Sequence, residues 1–226
     1  MASRQNQSQA VMAQRREPPD SLDFFPTPPW ATRALVECVL HQHEECVAGK
    51  IVWEPAAGEG HMAVALWEYG PRHVHESDVH DYGRDYRVGS FVGEGPDVIG
   101  DLSPVDWIIT NPPFNLAAEF AERALNAASG VALLVRTAWL EGGGRFHRLF
   151  QPRPPSIVAV FCERVPMVKG RWDPKASTAT SYCWVVWMPD RLSPPPTQLM
   201  WIPPGQRERL SKPDDVARFA ISLEKP

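Results

Sequence analysis

The sequence predicts an α/β fold: a Rossmann-like, seven-stranded, mostly parallel sheet whose last strand runs antiparallel. Three observations lead there. Short apolar strands alternate with helical stretches through residues 51–150, the signature of βαβ units and a parallel sheet. The last two apolar runs, residues 156–162 and 181–188, have no helix of ordinary length between them, so the final strand reads as antiparallel. The chain has 226 residues, 43% hydrophobic and 22% charged, which suffices for one full-sized core.

The elements follow in order. Residues 1–22 are rich in Gln and Ser, lack an apolar run, and read as a disordered leader rather than a secretory signal. "FFPTPPW" is a turn whose Pro28 and Pro29 open a helix from Trp30 to about Gln42, with Ala31, Ala34, Leu35, Cys38 and Val39 on one face. "KIVWEP" is the first strand, and "GEGHMAVALWEYG" is a helix that stops at Gly70. "RHVHESD", the weak "YRVGSFVG" and "VDWIIT" are strands two to four. "LAAEFAERALNAASG" is a helix of strong formers, and "VALLVR" a buried fifth strand. A short helix in "GGGRFHRLF" precedes the last two strands. Past Met188 the chain turns Pro-rich and reads as an extended tail with one short final helix in "PDDVARFAISLE". The expected division is a leader 1–22, a folded domain 23–190 and a tail 191–226.

Composition excludes several functions. No apolar run reaches the roughly 18 to 20 residues of a membrane span, so no membrane association is expected. The four cysteines form no CxxC pair, which favours neither zinc nor disulfides and fits a cytoplasmic setting. His41, His43 and Cys46, and likewise His73, His75 and His80, have no metal-ligand spacing, so no metal is expected. The net charge of −4 gives no general case for nucleic acid. It is uneven, however: residues 131–180 hold eight Lys and Arg against three Asp and Glu.

Ligands of open parallel sheets bind at the C-terminal strand ends. There the first strand runs into "EPAAGEG". Ala56, Gly58 and Gly60 would let a ligand approach the backbone, and Glu54 would suit a cationic one. The loop has neither GxGxxG nor a P-loop lysine, which argues against dinucleotides and ATP. An acid to hold ribose hydroxyls is expected at the end of strand two, where Asp78 stands with Glu76 as its competitor.

The fourth strand ends in "TNPPF". Pro112 and Pro113 fix the backbone and remove two donors, leaving a rigid extended loop of acceptors. Asn111 adds a side-chain carbonyl. Two fixed acceptors suit an –NH2 group, and Phe114 offers a plate for a planar ring. An amine conjugated to a ring is a poor nucleophile, and hydrogen bonds to acceptors polarise it toward attack. What remains is positioning against an activated methyl group.

Taken together, these motifs resemble the amino-group, AdoMet-dependent methyltransferases, most closely the N6-adenine DNA methyltransferases. "TNPPF" looks like their (D/N)PP(Y/F) motif, "EPAAGEG" like their AdoMet loop, and "FFPTPPW" like the F-x-T-P motif that precedes it in one arrangement of the family. The resemblance implies S-adenosyl-L-methionine as cofactor. It implies that Phe25, Thr27 and Pro28 help hold the methionine end, that Glu54, Ala56, Gly58 and Gly60 line the cofactor, and that Asp78 binds ribose. Ser90 stands where the family has an acid near the adenine, while Phe91 keeps the aromatic. Asn111, with Pro112, Pro113 and Phe114, would form the catalytic pocket for the target amine.

The expected substrate is DNA, methylated at a flipped-out adenine. Arg136 ends the fifth strand, and Lys169, Arg171 and Trp172 lie in the basic loop between the last strands, all at the same mouth; backbone phosphates favour that charge. Trp172 reads either as a stacking residue or as a pin for its loop. A separate recognition domain has no room after Met188, so a partner or self-association could replace it. The alternatives are an RNA base methyltransferase (adenine N6 or guanine N2), a protein-glutamine methyltransferase, and a catalytically silent nucleic-acid-binding module.

Overall fold

The computed structural model describes residues 23–93, 98, 104–189 and 196–219. The expected leader lies outside the described residues, as does part of the expected tail. The strands are β1 (Ile51–Glu54), β2 (His73–Asp78), β3 (Arg87–Val88), β4 (Val105–Thr110), β5 (Ala128–Arg136), β6 (Ile157–Phe161), β7 (Tyr182–Trp187) and β8 (Gln198–Ile202). The helices are α1 (Pro29–Leu35), α2 (His61–Trp67), α3 (Ala117–Ala127), α4 (Gly143–Arg145), α5 (Gln206–Leu210) and α6 (Asp215–Phe219). One sheet has the order β3-β2-β1-β4-β5-β7-β6-β8.

The predicted fold class holds, with one strand more than expected. β7 is antiparallel to both β5 and β6, while the other pairings are parallel. The eighth strand comes from the stretch read as a tail: "QLMWI" pairs in parallel with β6, Ile157 opposite Gln198 through Phe161 opposite Ile202. Leading away from β1, the chain first builds β2 and β3 on one side and then β4 and β5 on the other. The crevice for a ligand therefore opens at the C-terminal ends of β1 and β4.

Period-two alternation divides the core between the two sheet faces. Trp107, Ile109, Leu134, Trp184 and Val186 point to the side of α1 and α2, with Trp30, Leu35, Met62 and Leu66. Ile108, Leu133, Cys183 and Val185 point to the other side, with Trp53, Phe120 and Leu149. Gly130 on β5 is required by its neighbour across the ladder: a Cβ there would stand 2.6 Å from the Trp107 ring.

Every residue of α1 is buried, Arg33 included at 1% exposure. Burying a guanidinium demands matched partners. Arg33 donates to both Glu68 oxygens at 2.7 and 2.8 Å, to both Asp215 oxygens at 2.7 Å, and to the Leu210 carbonyl at 2.7 Å. The C-terminal helices thus close over α1. Burial alone would raise the Glu68 carboxyl, but hydrogen bonds from Arg33, Lys212 and Arg218 outweigh it and hold it down at about 2. With its folded value depressed, Glu68 stabilises above the ordinary carboxylate range, and that stability is lost as pH falls toward 2. Arg33→Lys keeps the charge and loses the fork, so urea unfolding should show a loss of about 2 kcal/mol. A midpoint unchanged from wild type would show that the network contributes nothing.

Candidate functional site

At the switch point lies an open cleft of about 540 Å³, counting its mouth. Phe25, Thr27, Glu54, Ala56, Asp78 and Asn111 all line it, joined by Asp23, Phe24, His61 and Tyr82. With Pro113, seven residues predicted from three separate motifs and from the end of β2 therefore meet at one place.

Glu54 closes β1 at 2% exposure, and its Oε2 is buried with no hydrogen-bond partner. Burial pushes its carboxyl well above the ordinary range; the neighbouring Glu76 and Asp78 add to this, and the Ala63 N–H opposes it. Asp78 ends β2 and is also raised by burial, against the pull of the His80, Gly58 and Val79 N–H groups. One of its oxygens accepts from the Gly58 N–H at 2.9 Å, the other from the His80 N–H at 3.0 Å. Each oxygen keeps a lone pair for a further donor. Glu54, Glu76 and Asp78 thus cluster here, offset in part by Arg84, which pairs with Glu76 at 3.4 Å.

Ala56 and Asp78 also border an adjoining apolar pocket formed by Val79, Phe91, Val92, Pro113, Leu116 and Phe120. Phe91 is fixed edge-on against Trp53, with ring centres 5.1 Å apart. The Ser90 hydroxyl is taken by the Val92 carbonyl, so it occupies the acid's position while bonding to its own loop.

The two glycines expected to line the cofactor are also tightly packed against the protein itself. Both have positive φ, 52° at Gly58 and 81° at Gly60, conformations open to glycine. The space a Cβ would occupy at Gly58 belongs to the Phe24 ring, 2.3 Å away, and at Gly60 to Arg84, 2.7 Å away. Here the glycines admit protein side chains. The Phe24 ring lies against Tyr82, tilted by 45° with ring centres 4.7 Å apart, and the Phe24 carbonyl accepts from the Gly170 N–H at 2.8 Å. The "FFPTPPW" segment therefore bridges the first loop and the basic loop. Pro28 borders a different hollow, beside Trp30 and Trp172.

Asn111 is the fixed point of the second loop. Its Nδ2 donates to the Phe25 carbonyl at 2.8 Å and lies 3.6 Å from Met167 Sδ. That carbonyl can only accept, which settles which way the amide faces. Its Oδ1 is left buried and unpartnered. Pro113 reaches the cleft wall. The Phe114 N–H donates to Asp23 at 2.6 Å, and its ring lies 5.1 Å from Phe25 and 6.2 Å from Tyr182. The Arg136 guanidinium sits 3.9 Å above that ring.

The other basic residues are scattered. Lys169 is half-buried at the turn. Arg171 is exposed and paired with Asp173 at 3.7 Å. Trp172 is only 8% exposed and meets the Phe219 ring edge-on at 6.1 Å. The ring is held against α6, and Trp172 is not among the residues that line the cleft. Residues that the sequence did not single out are Asp23, Phe24, Tyr82, Leu116 and Phe120. The doubled aromatic of "FFPTPPW" and the Leu116/Phe120 spacing of one helical turn were the available signals.

Among the described residues, no group of three or more His, Cys, Asp or Glu is placed to hold a metal, and no helix is long and apolar enough to cross a membrane.

No protein-family model matches the chain, and no curated protein matches it. Solved structures do. A methyltransferase subunit of a type I restriction-modification system from Streptococcus thermophilus superposes with a TM-score of 0.56 at 10% identity, over 74% of this chain and 44% of that one. The M protein of the type I restriction enzyme EcoKI gives 0.51 at 13% identity, again over 74% and 44%. A Pyrococcus horikoshii protein provisionally described as an RNA methyltransferase gives 0.52 at 19% identity, over 76% of this chain and 90% of that one. This chain thus spans less than half of either restriction-modification subunit and most of the Pyrococcus protein. Likeness at such identities is a likeness of fold: the chain has the methyltransferase fold.

Proposed function

We propose that the chain is an AdoMet-dependent N6-adenine methyltransferase acting on DNA. The observation that carries this reading is the Asn111 amide. Its nitrogen is committed to Phe25, and its oxygen is buried without a partner beside the cleft. A buried acceptor without a donor is costly, and a substrate amine would satisfy it.

The cleft fits the cofactor on its own chemistry. Glu54 has a buried oxygen lacking a partner and would face the cationic methionine end. Asp78 has acceptor capacity left for ribose hydroxyls, and the apolar pocket around Phe91, Leu116 and Phe120 suits the flat faces of an adenine. When bound, S-adenosylmethionine supplies an electrophilic methyl group on a sulfonium. The protein's part is orientation. Asn111 Oδ1 would accept a hydrogen bond from the target amine, together with the Pro112 carbonyl, turning the nitrogen lone pair toward the methyl. Phe114 would stack on the base, and the rigid prolines would hold the acceptors in place.

DNA is favoured by the F-x-T-P segment packed onto the cofactor loop and by the restriction-modification subunits among the structural neighbours. A second reading, transfer to an RNA base, draws on the Pyrococcus neighbour, since this chain spans 90% of it. Labelled AdoMet offered with unmethylated genomic DNA, followed by nucleoside analysis, should place the label in N6-methyladenine. Label in N4-methylcytosine, or only in RNA or protein, would overturn the proposal.

A further inference from the structure

Arg136 ends β5, next to the end of β4 that carries the Asn-Pro-Pro-Phe loop. Its guanidinium lies flat-ring distance, 3.9 Å, from the centre of Phe114. The Phe114 ring cannot easily swing away: its amide is tied to Asp23, and Phe25 and Tyr182 lean on it at 44° and 37°. Tyr182 is buried and Arg136 is exposed, so the guanidinium covers the ring from the solvent side. A base coming from solvent to reach Asn111 Oδ1 would need that same side. Among the described residues Arg136 has no carboxylate within ion-pair distance; beyond the ring, it interacts with the Tyr182 hydroxyl.

We infer that Arg136 is a displaceable plug of the target-base site. This rests on the reading that the substrate is a base amine on a polynucleotide. A planar cation stands on Phe114 until a base replaces it, and the released guanidinium then meets a backbone phosphate of the same strand. Cation–π contact at a solvent-facing guanidinium is weak enough to exchange for base stacking. The phosphate contact offsets the lost one only for a polynucleotide. A free nucleoside must evict the plug with nothing for it to bind. The device thus discriminates against free nucleosides, which share the base but not the chain of phosphates.

The test uses the full chain with its cofactor cleft pre-filled with S-adenosylhomocysteine. Binding of 2′-deoxyadenosine and of a single-stranded adenine-containing oligodeoxynucleotide is measured by calorimetry for wild type, Arg136→Ala and Arg136→Lys; thermal melting confirms that each variant is folded. Arg136→Ala should bind the nucleoside roughly three- to tenfold more tightly. It should bind the oligonucleotide more weakly at low salt, with a log–log salt slope smaller by about 0.7, the share of one phosphate on a single strand. Arg136→Lys should restore the slope and keep part of the gain in nucleoside affinity. Unchanged, weakened or undetectable nucleoside binding in Arg136→Ala would overturn the plug. Methyl transfer by wild type, measured alongside, separates the two ideas. Transfer without a gain in nucleoside affinity sinks the plug alone, and a gain without transfer to any polynucleotide sinks the functional reading alone.

Discussion

Replacing Asn111 with alanine is expected to cut single-turnover methyl transfer by about 10²–10³-fold, the usual effect of deleting one preorganised polar group at a reacting centre. The substitution removes the one side-chain acceptor that the loop aims at the cleft. It also frees the Phe25 carbonyl from its 2.8 Å partner, so cofactor affinity should fall, but by less than about fivefold for one lost peripheral hydrogen bond. That split between chemistry and binding is the diagnostic. Asn111→Asp sharpens it. An aspartate keeps an acceptor oxygen but presents its other oxygen to the Phe25 carbonyl, two acceptors facing each other. It should retain more activity than alanine at a cost in stability. Rapid-quench rates with labelled AdoMet and calorimetric titration of the cofactor would measure both. Transfer by Asn111→Ala within about threefold of wild type would show that the amine is held elsewhere.

The sequence carried the sheet and the cleft with unequal clarity. "VDWIIT" was legible to the residue, because its β-branched and aromatic residues lie between Pro104 and the Asn111-Pro112 break. The fifth strand begins three residues earlier than its apolar core, at Ala128, because pairing with β4 starts where the helix ends. β8 was hidden: five uncharged residues between proline clusters look like a tail, and only their ladder with β6 makes them a strand. Glu54, Asp78 and Asn111 were legible as a site because each stands at the C-terminal end of a parallel strand. Phe24 was not, since nothing in "FFPTPPW" says which of two rings folds over Gly58. Trp172 illustrates the converse. Its neighbours left both readings open, because its partner Phe219 lies 47 residues further along and reaches it only through the C-terminal packing on α1.

Glu54→Gln should act in opposite directions on the free and the loaded protein. In the free protein, burial to 2% exposure with Glu76 and Asp78 alongside outweighs the pull of the Ala63 N–H and of Arg84 and raises the Glu54 pKa well above the usual range. A folded value above the unfolded one means that the folded chain binds the extra proton. The stability Glu54 contributes is complete below the ordinary carboxylate range and is lost as pH rises through the raised value. Glutamine does not titrate, so the variant should melt higher than wild type above that window and show no such loss. Cofactor affinity has the reverse sign. A cationic methionine end favours the ionised carboxylate, so wild-type affinity should climb with pH across the same window and then level off, with protons released on binding. In the variant it should be flat and, on the plateau, weaker by about 10–100-fold, the range for losing one charge-assisted contact. Calorimetry in two buffers of different ionisation enthalpy reads the proton release directly, and melting of the free protein reads the stability arm. Equal affinity with an unchanged pH profile would remove Glu54 as the counter-charge. The anionic floor would then have to be explained by Asp78 and Glu76, whose carboxylates burial also raises. A gain in stability with a loss of binding would show that the fold tolerates an uncompensated buried acid because a cation is meant to meet it.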